Sequence, residues 1–192
     1  NAASIMHSMG CKIVAVSDSS GGIYCPDNIN PSDVYAHKKK TGSVMNYKNC
    51  ANITNAELLQ TKCDILIPAA LQNQIRKDNA DKIRAKIVAE GANGPTTPEA
   101  DKVLYEKGTC LIPDILANSG GVTVSYFEWV QNLTREHWAL AEVNKKLENK
   151  ITKAFYDVQK LSGREESDMR TAALMLGVGR VAQAIRTLGL WP

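Results

Sequence analysis

The sequence predicts an α/β protein with a doubly wound, mostly parallel sheet and a C-terminal helical layer. Two observations predict it: four short apolar runs alternate with helical segments, and only helical periodicity follows them. The runs are rich in β-branched residues and end in small or polar ones; they cover residues 12–18, 64–70, 86–92 and 109–114. Such nearly continuous runs are typical of parallel strands buried on both faces. Helices between them indicate right-handed βαβ units.

Helical segments are predicted on both sides of each strand. A short helix over residues 1–9 ends before Gly10, and further helices are predicted over residues 31–40, 55–60, 72–83 and 97–107. In the last of these, Thr97 can cap the helix, Pro98 suits its first turn and Gly108 follows its end. We therefore predict one domain over residues 1–192, with alternation over 1–122 and helices over 123–192.

Composition narrows the class of protein. The 192 residues are 44% hydrophobic and 22% charged, an ordinary globular balance that supports a real core. A net charge of +3 with scattered basic residues argues against nucleic acid, and the apolar runs are too short for a membrane span. Five cysteines without a C-x-x-C pattern predict reduced thiols in a cytoplasmic protein and no metal site.

The loops after the strands are the candidate site, because ligands of doubly wound sheets bind at the carboxyl ends of strands. Small residues in loops 17–19, 68–70, 90–94 and 116–121 would let a flat cofactor approach the backbone. Asp18 ends the first predicted strand, where a Rossmann-like fold places the carboxylate that binds the adenosine ribose. The alternative is that residues 18–22, Asp-Ser-Ser-Gly-Gly, form a plain turn.

Other apparent motifs carry no chemistry. Residues 177–182 match the G-x-G-x-x-A dinucleotide pattern, but a predicted helix precedes them where the mechanism needs a strand, so we interpret these glycines as helix packing. His7, His37 and His137 have no spacing suited to a metal or a triad. No G-x-S-x-G or H-E-x-x-H pattern supports hydrolysis.

Four stretches together resemble the cofactor domain of the glutamate dehydrogenases, within the Glu/Leu/Phe/Val dehydrogenase family: residues 14–24, 63–70, 85–101 and 118–129. The last two are highly specific. Within them, Gly-Pro-Thr-Thr-Pro at 94–98 and Tyr-Phe-Glu-Trp at 126–129 resemble the glutamate branch.

The resemblance implies reversible oxidation of L-glutamate to 2-oxoglutarate and ammonia, with hydride transfer to NAD or NADP. The cofactor-binding residues that it implies are Asp18, Ser19, Ala69, Ala70, Asn93 and Asn118, and the substrate-side residues are Val122 and Ser125. Asn93 and Asn118 would contact the nicotinamide side. Ser125 resembles the hydroxyl that binds the glutamate γ-carboxylate, a task suited to a hydrogen-bond donor.

Two parts of the family pattern are missing from these residues. The glycine fingerprint with its strand would immediately precede Asn1, and the domain with the catalytic lysines and aspartate is also absent. We therefore expect no catalytic residue in this chain, and either a longer polypeptide or another segment that fills a gap in the sheet. The resemblance implies a hexamer for the full-length protein.

Three questions stay open on sequence alone. The chain could be a catalytically silent nucleotide-binding or assembly module, or part of a dehydrogenase for another amino acid. NAD is slightly favoured over NADP, because Asp18 would repel the 2′-phosphate, although Ser19 and Ser20 could bind it.

Overall fold

A computed structural model describes residues 1–189, which divide into two compact units. Unit 1 comprises residues 1–64 and 82–85, and unit 2 comprises residues 65–81 and the chain from Lys86 onward. The predicted α/β class with a parallel sheet is confirmed. Within residues 1–189, no helix combines the length and apolar character that a membrane crossing needs.

Unit 1 combines three helices with a three-stranded sheet. In chain order its elements are α1 (Ala2–Ser8), β1 (Ala15–Asp18), β2 (Gly21–Tyr24), α2 (Pro31–Thr41), β3 (Ala51–Ile53) and α3 (Asn55–Leu59). Helix α2 begins at Pro31, where the Asn30 side chain accepts from the Ser32 amide, and is followed by Gly42, whose φ of 84° suits glycine. The core of the unit is aliphatic: Ile13, Ile23, Ile29, Val34 and Val44.

The sheet of unit 1 is antiparallel, in the order β1-β2-β3. The prediction that residues 12–18 lie in the parallel sheet is therefore wrong. Asp18 pairs with Gly21, so a two-residue turn returns the chain at once, and a parallel connection would need a dozen or more residues. Among the described residues, β1 bonds to β2 alone.

Unit 2 contains the parallel sheet and most of the helices. Its strands are β4 (Ile65–Leu66), β5 (Ile87–Ala89) and β6 (Cys110–Ile112), and its helices are α4 (Pro98–Glu106), α5 (Asp114–Ala117), α6 (Gly120–Thr134), α7 (Leu140–Arg164) and α8 (Met169–Leu188). The strand order β4-β5-β6 confirms three of the four predicted parallel strands. Within residues 1–189, β4 has β5 as its single neighbour, and the predicted gap in the sheet stays a prediction.

The helix predicted over residues 72–83 is wrong except for a short 3-10 turn, Ala80–Lys82. The backbone amides of Asn73 and Ile75 donate to the carbonyls of Gly94 and Pro95, at 2.8 and 2.9 Å. Those bonds hold the segment extended against the loop before α4, because an amide bonded to a distant carbonyl is not available to a helix.

The C-terminal helices are confirmed over the described residues; residues 190–192 of the predicted layer lie outside them. Helices α7 and α8 pack on α5 around a small core of Leu116, Val158, Ala172 and Ala173. The single domain predicted over residues 1–192 stays a prediction.

Candidate functional site

The carboxyl ends of β4, β5 and β6 form one edge of unit 2, because the three strands are parallel. Backbone hydrogen bonds tie the following segments together. The Pro68 carbonyl accepts from the amides of Gly91 and Ala92 at 3.0 and 2.9 Å, and the Glu90 amide donates to Ile112 at 3.1 Å. The edge is therefore a connected surface of short loops.

The middle of this edge is built from small side chains. Ala69 and Ala70 are exposed. A methyl group in place of the Gly91 hydrogen would lie 3.0 Å from the Ala69 Cβ, so only glycine fits this approach without displacement. The surface that results is bare backbone and methyl groups, which a flat ligand can approach closely.

Two amide side chains meet at the same edge. Nδ2 of Asn118 donates to Oδ1 of Asn93 at 2.7 Å. Asn93 is exposed, whereas Asn118 is half-buried at the C-terminus of α5. Within residues 1–189 the pair keeps one amino group and one carbonyl oxygen without a protein partner, that is, one donor and one acceptor for a ligand.

An arginine and three carboxylates lie behind the edge. The Arg170 guanidinium, near the start of α8, contacts Glu90 Oε1 at 2.8 Å, Asp101 Oδ2 at 2.5 Å and Asp114 Oδ1 at 3.1 Å. The Glu90 side chain is completely buried, and that of Arg170 is 22% exposed. We call these four residues the Arg170 cluster.

Burial and pairing act in opposite directions in this cluster. Burial raises the pKa of Asp101, which the hydrogen bond from Arg170 only partly offsets. Burial by itself would lower the pKa of Arg170, but its hydrogen bonds to Asp101 and Glu90 raise the pKa above its ordinary value. Arg170 therefore stays charged and compensates carboxylates that would otherwise repel one another.

Asp18 lies in unit 1 and is bonded within it. Its Oδ2 accepts from Lys38 Nζ and the Val44 amide, each at 2.9 Å, and its Oδ1 accepts from the Ser20 amide at 2.9 Å and from Ser43 Oγ at 3.4 Å. The side chain is 6% exposed, whereas the adjacent Ser19 is exposed. The turn that was the alternative interpretation of residues 18–22 is present at Ser19 and Ser20, between β1 and β2.

These bonds stabilise the ionised form of Asp18. Burial by itself would raise its pKa, but Lys38 and the amides of Ser20 and Val44 outweigh burial and lower the pKa from 3.8 to about 2. The ribose-binding role of Asp18 stays a prediction.

Val122 and Ser125 lie on α6, three residues apart and therefore on one face of the helix. Both side chains are exposed, that of Val122 by 70%. Their substrate-side roles stay predictions.

Residues 177–182 lie inside α8, which confirms that no strand precedes these glycines. Among the described residues, no atom lies near enough to Gly177 or Gly179 for the predicted close packing.

Sequence analysis missed Arg170 and Lys38 as partners of the loop carboxylates. A usable signal was present for the cluster: Glu90 ends an apolar run, where a buried charge needs a partner of opposite sign, and Arg170 begins a helix of mostly apolar residues. No spacing in the sequence, however, indicates that Glu90 and Arg170 are partners.

A parallel sheet whose strand ends carry small residues and a partly exposed amide pair is typical of an α/β ligand-binding protein. Comparison with known families then identifies the family to which the chain belongs. The chain belongs to the Glutamate/Leucine/Phenylalanine/Valine dehydrogenase family, whose profile matches residues 1–189. The resemblance is thereby confirmed at the level of the family.

Individual relatives agree with this assignment. The chain is 50% identical over 188 residues to a glutamate dehydrogenase of Thermotoga maritima, with 98% of this chain and 45% of that protein covered. It is 46% identical to an NAD-specific glutamate dehydrogenase of Staphylococcus aureus, with 97% and 45% covered. The chain thus spans less than half the length of these relatives.

Solved structures give the same relationship. The hetero-hexameric glutamate dehydrogenase of Thermus thermophilus superposes with a TM-score of 0.91 at 31% identity, over 99% of this chain and 45% of that one. The glutamate dehydrogenase of Peptoniphilus asaccharolyticus superposes with a TM-score of 0.81 at 34% identity, over 99% and 44%.

Proposed function

We propose that the protein is the cofactor-binding part of an NAD(P)-dependent glutamate dehydrogenase. The reaction is the reversible oxidation of L-glutamate to 2-oxoglutarate and ammonia, with hydride transfer to the nicotinamide. Membership of the family and the names of the relatives support the reaction. No residue of this chain is assigned a catalytic role.

The Asn93–Asn118 pair is the observation that carries the proposal. Its remaining donor and acceptor complement a carboxamide, which itself has one NH2 group and one carbonyl oxygen. Nicotinamide ends in such a group. Ala69 and Ala70 lie at the same strand-end edge and would line the cofactor, while Gly91 leaves room for its approach.

Asp18 and Ser19 are proposed to bind the adenosine ribose. Four donors already occupy the lone pairs of the Asp18 carboxylate, so a ribose hydroxyl would displace the longest bond, the 3.4 Å one from Ser43. The charge of Asp18 favours NAD over NADP, which agrees with the NAD-specific name of the Staphylococcus aureus relative.

Val122 and Ser125 are proposed to face L-glutamate or 2-oxoglutarate, with the Ser125 hydroxyl on the γ-carboxylate. We further propose a cytoplasmic homo-oligomer, hexameric in its full-length form, which light scattering would test. A catalytically silent nucleotide-binding module and a dehydrogenase of another amino acid are the alternatives.

Two assays on the purified full-length protein test the proposal, because this chain by itself is assigned no catalytic residue. NADH fluorescence titration measures cofactor binding, and absorbance at 340 nm follows glutamate-dependent reduction of NAD. Asn118→Ala removes half of the amide pair and is expected to weaken NADH binding about tenfold, whereas Asn149→Ala on the exposed surface of α7 is the matched control.

The outcomes separate the candidates. NADH binding with glutamate turnover supports the proposal. NADH binding without turnover of any amino acid supports the silent module, and turnover of an apolar amino acid in preference to glutamate supports the other dehydrogenase. Absence of NADH binding contradicts the cofactor role altogether.

A further inference from the structure

Arg170 is remote in sequence from the amide pair but is linked to it through partly buried hydrogen bonds and the backbone. Its guanidinium contacts Glu90, which directly follows β5, and Asp114, the second residue after β6. These two carboxylates are also bonded to the backbone, because Glu90 Oε2 accepts from the Asp114 amide and Asp114 Oδ2 accepts from the Gly94 amide, each at 2.8 Å.

Asp114 is linked to both members of the amide pair, to Asn93 through Gly94 and to Asn118 through helix α5. Gly94, in a left-handed conformation with φ 55°, directly follows Asn93. Asp114 begins α5, and Asn118 directly follows the last residue of this helix as its C-cap. A rotation of the Asp114 side chain would therefore move the backbone on one side of the pair and release the start of the helix that carries the other side.

We infer that Arg170 is a positioning residue for the nicotinamide end of the cofactor: it fixes the Asn93–Asn118 pair through Glu90 and Asp114. This inference rests on the proposed function. The planar guanidinium contacts three carboxylates in three directions at once, and the single ammonium of lysine cannot reproduce that geometry. Within residues 1–189, Arg170 is the cation that pairs with the completely buried Glu90, so loss of its guanidinium disturbs the compensation of that buried charge.

The test compares two probes of the same site. NADH contains the nicotinamide, whereas ADP-ribose contains the adenosine and both ribose groups without it. For Arg170→Lys we expect the Kd of NADH to rise about tenfold, a loss of roughly one or two hydrogen bonds, with the Kd of ADP-ribose unchanged. Arg180→Lys is the matched control on the same helix, since its guanidinium is exposed and pairs with Asp157.

A double variant distinguishes positioning from general weakening. If Arg170 acts through the amide pair, adding Arg170→Lys to Asn118→Ala raises the Kd of NADH no further than the larger single effect. If the double variant raises the Kd of NADH by the product of the two single effects, the inference is overturned. An equal loss for both probes, or an unchanged NADH affinity in Arg170→Lys, would also overturn it.

Circular dichroism checks that each variant folds. If Arg170→Lys does not fold, Asp114→Asn replaces it, because an asparagine oxygen can still accept from the Gly94 amide while the charge facing Arg170 is lost. The same selective loss for NADH is then expected, and equal loss for both probes overturns the inference. Failure of the unmodified protein to bind either probe contradicts the proposed function instead, and the inference falls with it.

Discussion

The carboxylate of Asp18 connects three parts of unit 1: the hairpin turn through Ser20, helix α2 through Lys38, and the segment after that helix through Val44. Its burial removes the carboxylate from water, so these donors replace the solvent. The residue thus has a structural task whether or not a ribose binds beside it.

Asp18→Asn is expected to lower the free energy of unfolding at pH 7 by about 1 to 2 kcal/mol, after allowance for screening by solvent. The folded pKa of Asp18 lies below its ordinary value, so its contribution is complete above pH 3.8 and is lost as the pH falls towards about 2. Urea denaturation at pH 7 and between pH 4 and about 2 measures this.

Glu148→Gln is the control, because Glu148 pairs with Lys145 on an exposed helix surface. An Asp18→Asn protein as stable as the control at pH 7 would contradict the structural role. So would an equal loss of stability on acidification in Asp18→Asn and in the unmodified protein.

Gly91→Ala is expected to destabilise the protein by about 1 to 3 kcal/mol, because the added methyl group meets the Ala69 Cβ at 3.0 Å. Thermal or urea unfolding measures the change. The compensating variant Gly91→Ala with Ala69→Gly removes the facing methyl group and should recover part of the loss. If the double variant recovers no stability, the strain does not arise at the contact between residues 91 and 69.

At the scale of the element, local signals act where a helix begins and ends. Thr97 accepts from the Ala100 amide at the start of α4, and Asp168 accepts from the Thr171 amide at the start of α8. Gly177 and Gly179 lie inside α8 although glycine is a poor helix former. Among residues 1–189, no atom outside the adjoining turns of the helix backbone lies within 4 Å of a methyl group placed on Gly177.

Gly177→Ala is accordingly expected to stabilise the protein by about 0.5 to 1 kcal/mol, since alanine is the better helix former. Gly42→Ala is the matched comparison: it too has open space, but its φ is 84°, so alanine there should destabilise. Urea midpoints of the two variants should move in opposite directions. A destabilised Gly177→Ala would mean that something packs against this face of α8.

At the scale of the whole molecule, unit 2 places the loops that follow three strands on one edge, and helix α8 supports that edge from behind through Arg170. Helix α6 begins two residues after Asn118, which brings the predicted substrate-side residues into the same stretch of chain. The proposed division of labour, with cofactor on the loops and substrate on the helix, follows this order.

Ser125→Ala tests the substrate side. Under the proposed function it should raise the KM of glutamate and lower kcat/KM about tenfold or more, because the γ-carboxylate loses a donor, while an apolar amino acid is much less affected. Steady-state kinetics with both amino acids measures this. Asn132→Ala, exposed on the same helix, is the control, and equal effects on the two substrates would contradict the γ-carboxylate assignment.

The sequence by itself determined the features that depend on neighbouring residues. The start and end of α4 follow from short-range patterns, and the runs at 64–70, 86–92 and 109–114 contain β4, β5 and β6. The strand-end rule then selected the loops that hold Asn93 and Asn118, because parallel strands end at one edge.

Only the tertiary structure decided what depends on distant partners. The amides of residues 73–75 are bonded to carbonyls of the loop before α4 rather than to carbonyls of their own segment. Strand β1 turns back into a hairpin, and Lys38 donates to the Asp18 carboxylate at the end of that strand. Arg170 lies 80 positions from Glu90 in the sequence. A buried carboxylate requires a cation, but the sequence cannot say which one, since folding alone brings α8 to the ends of the strands.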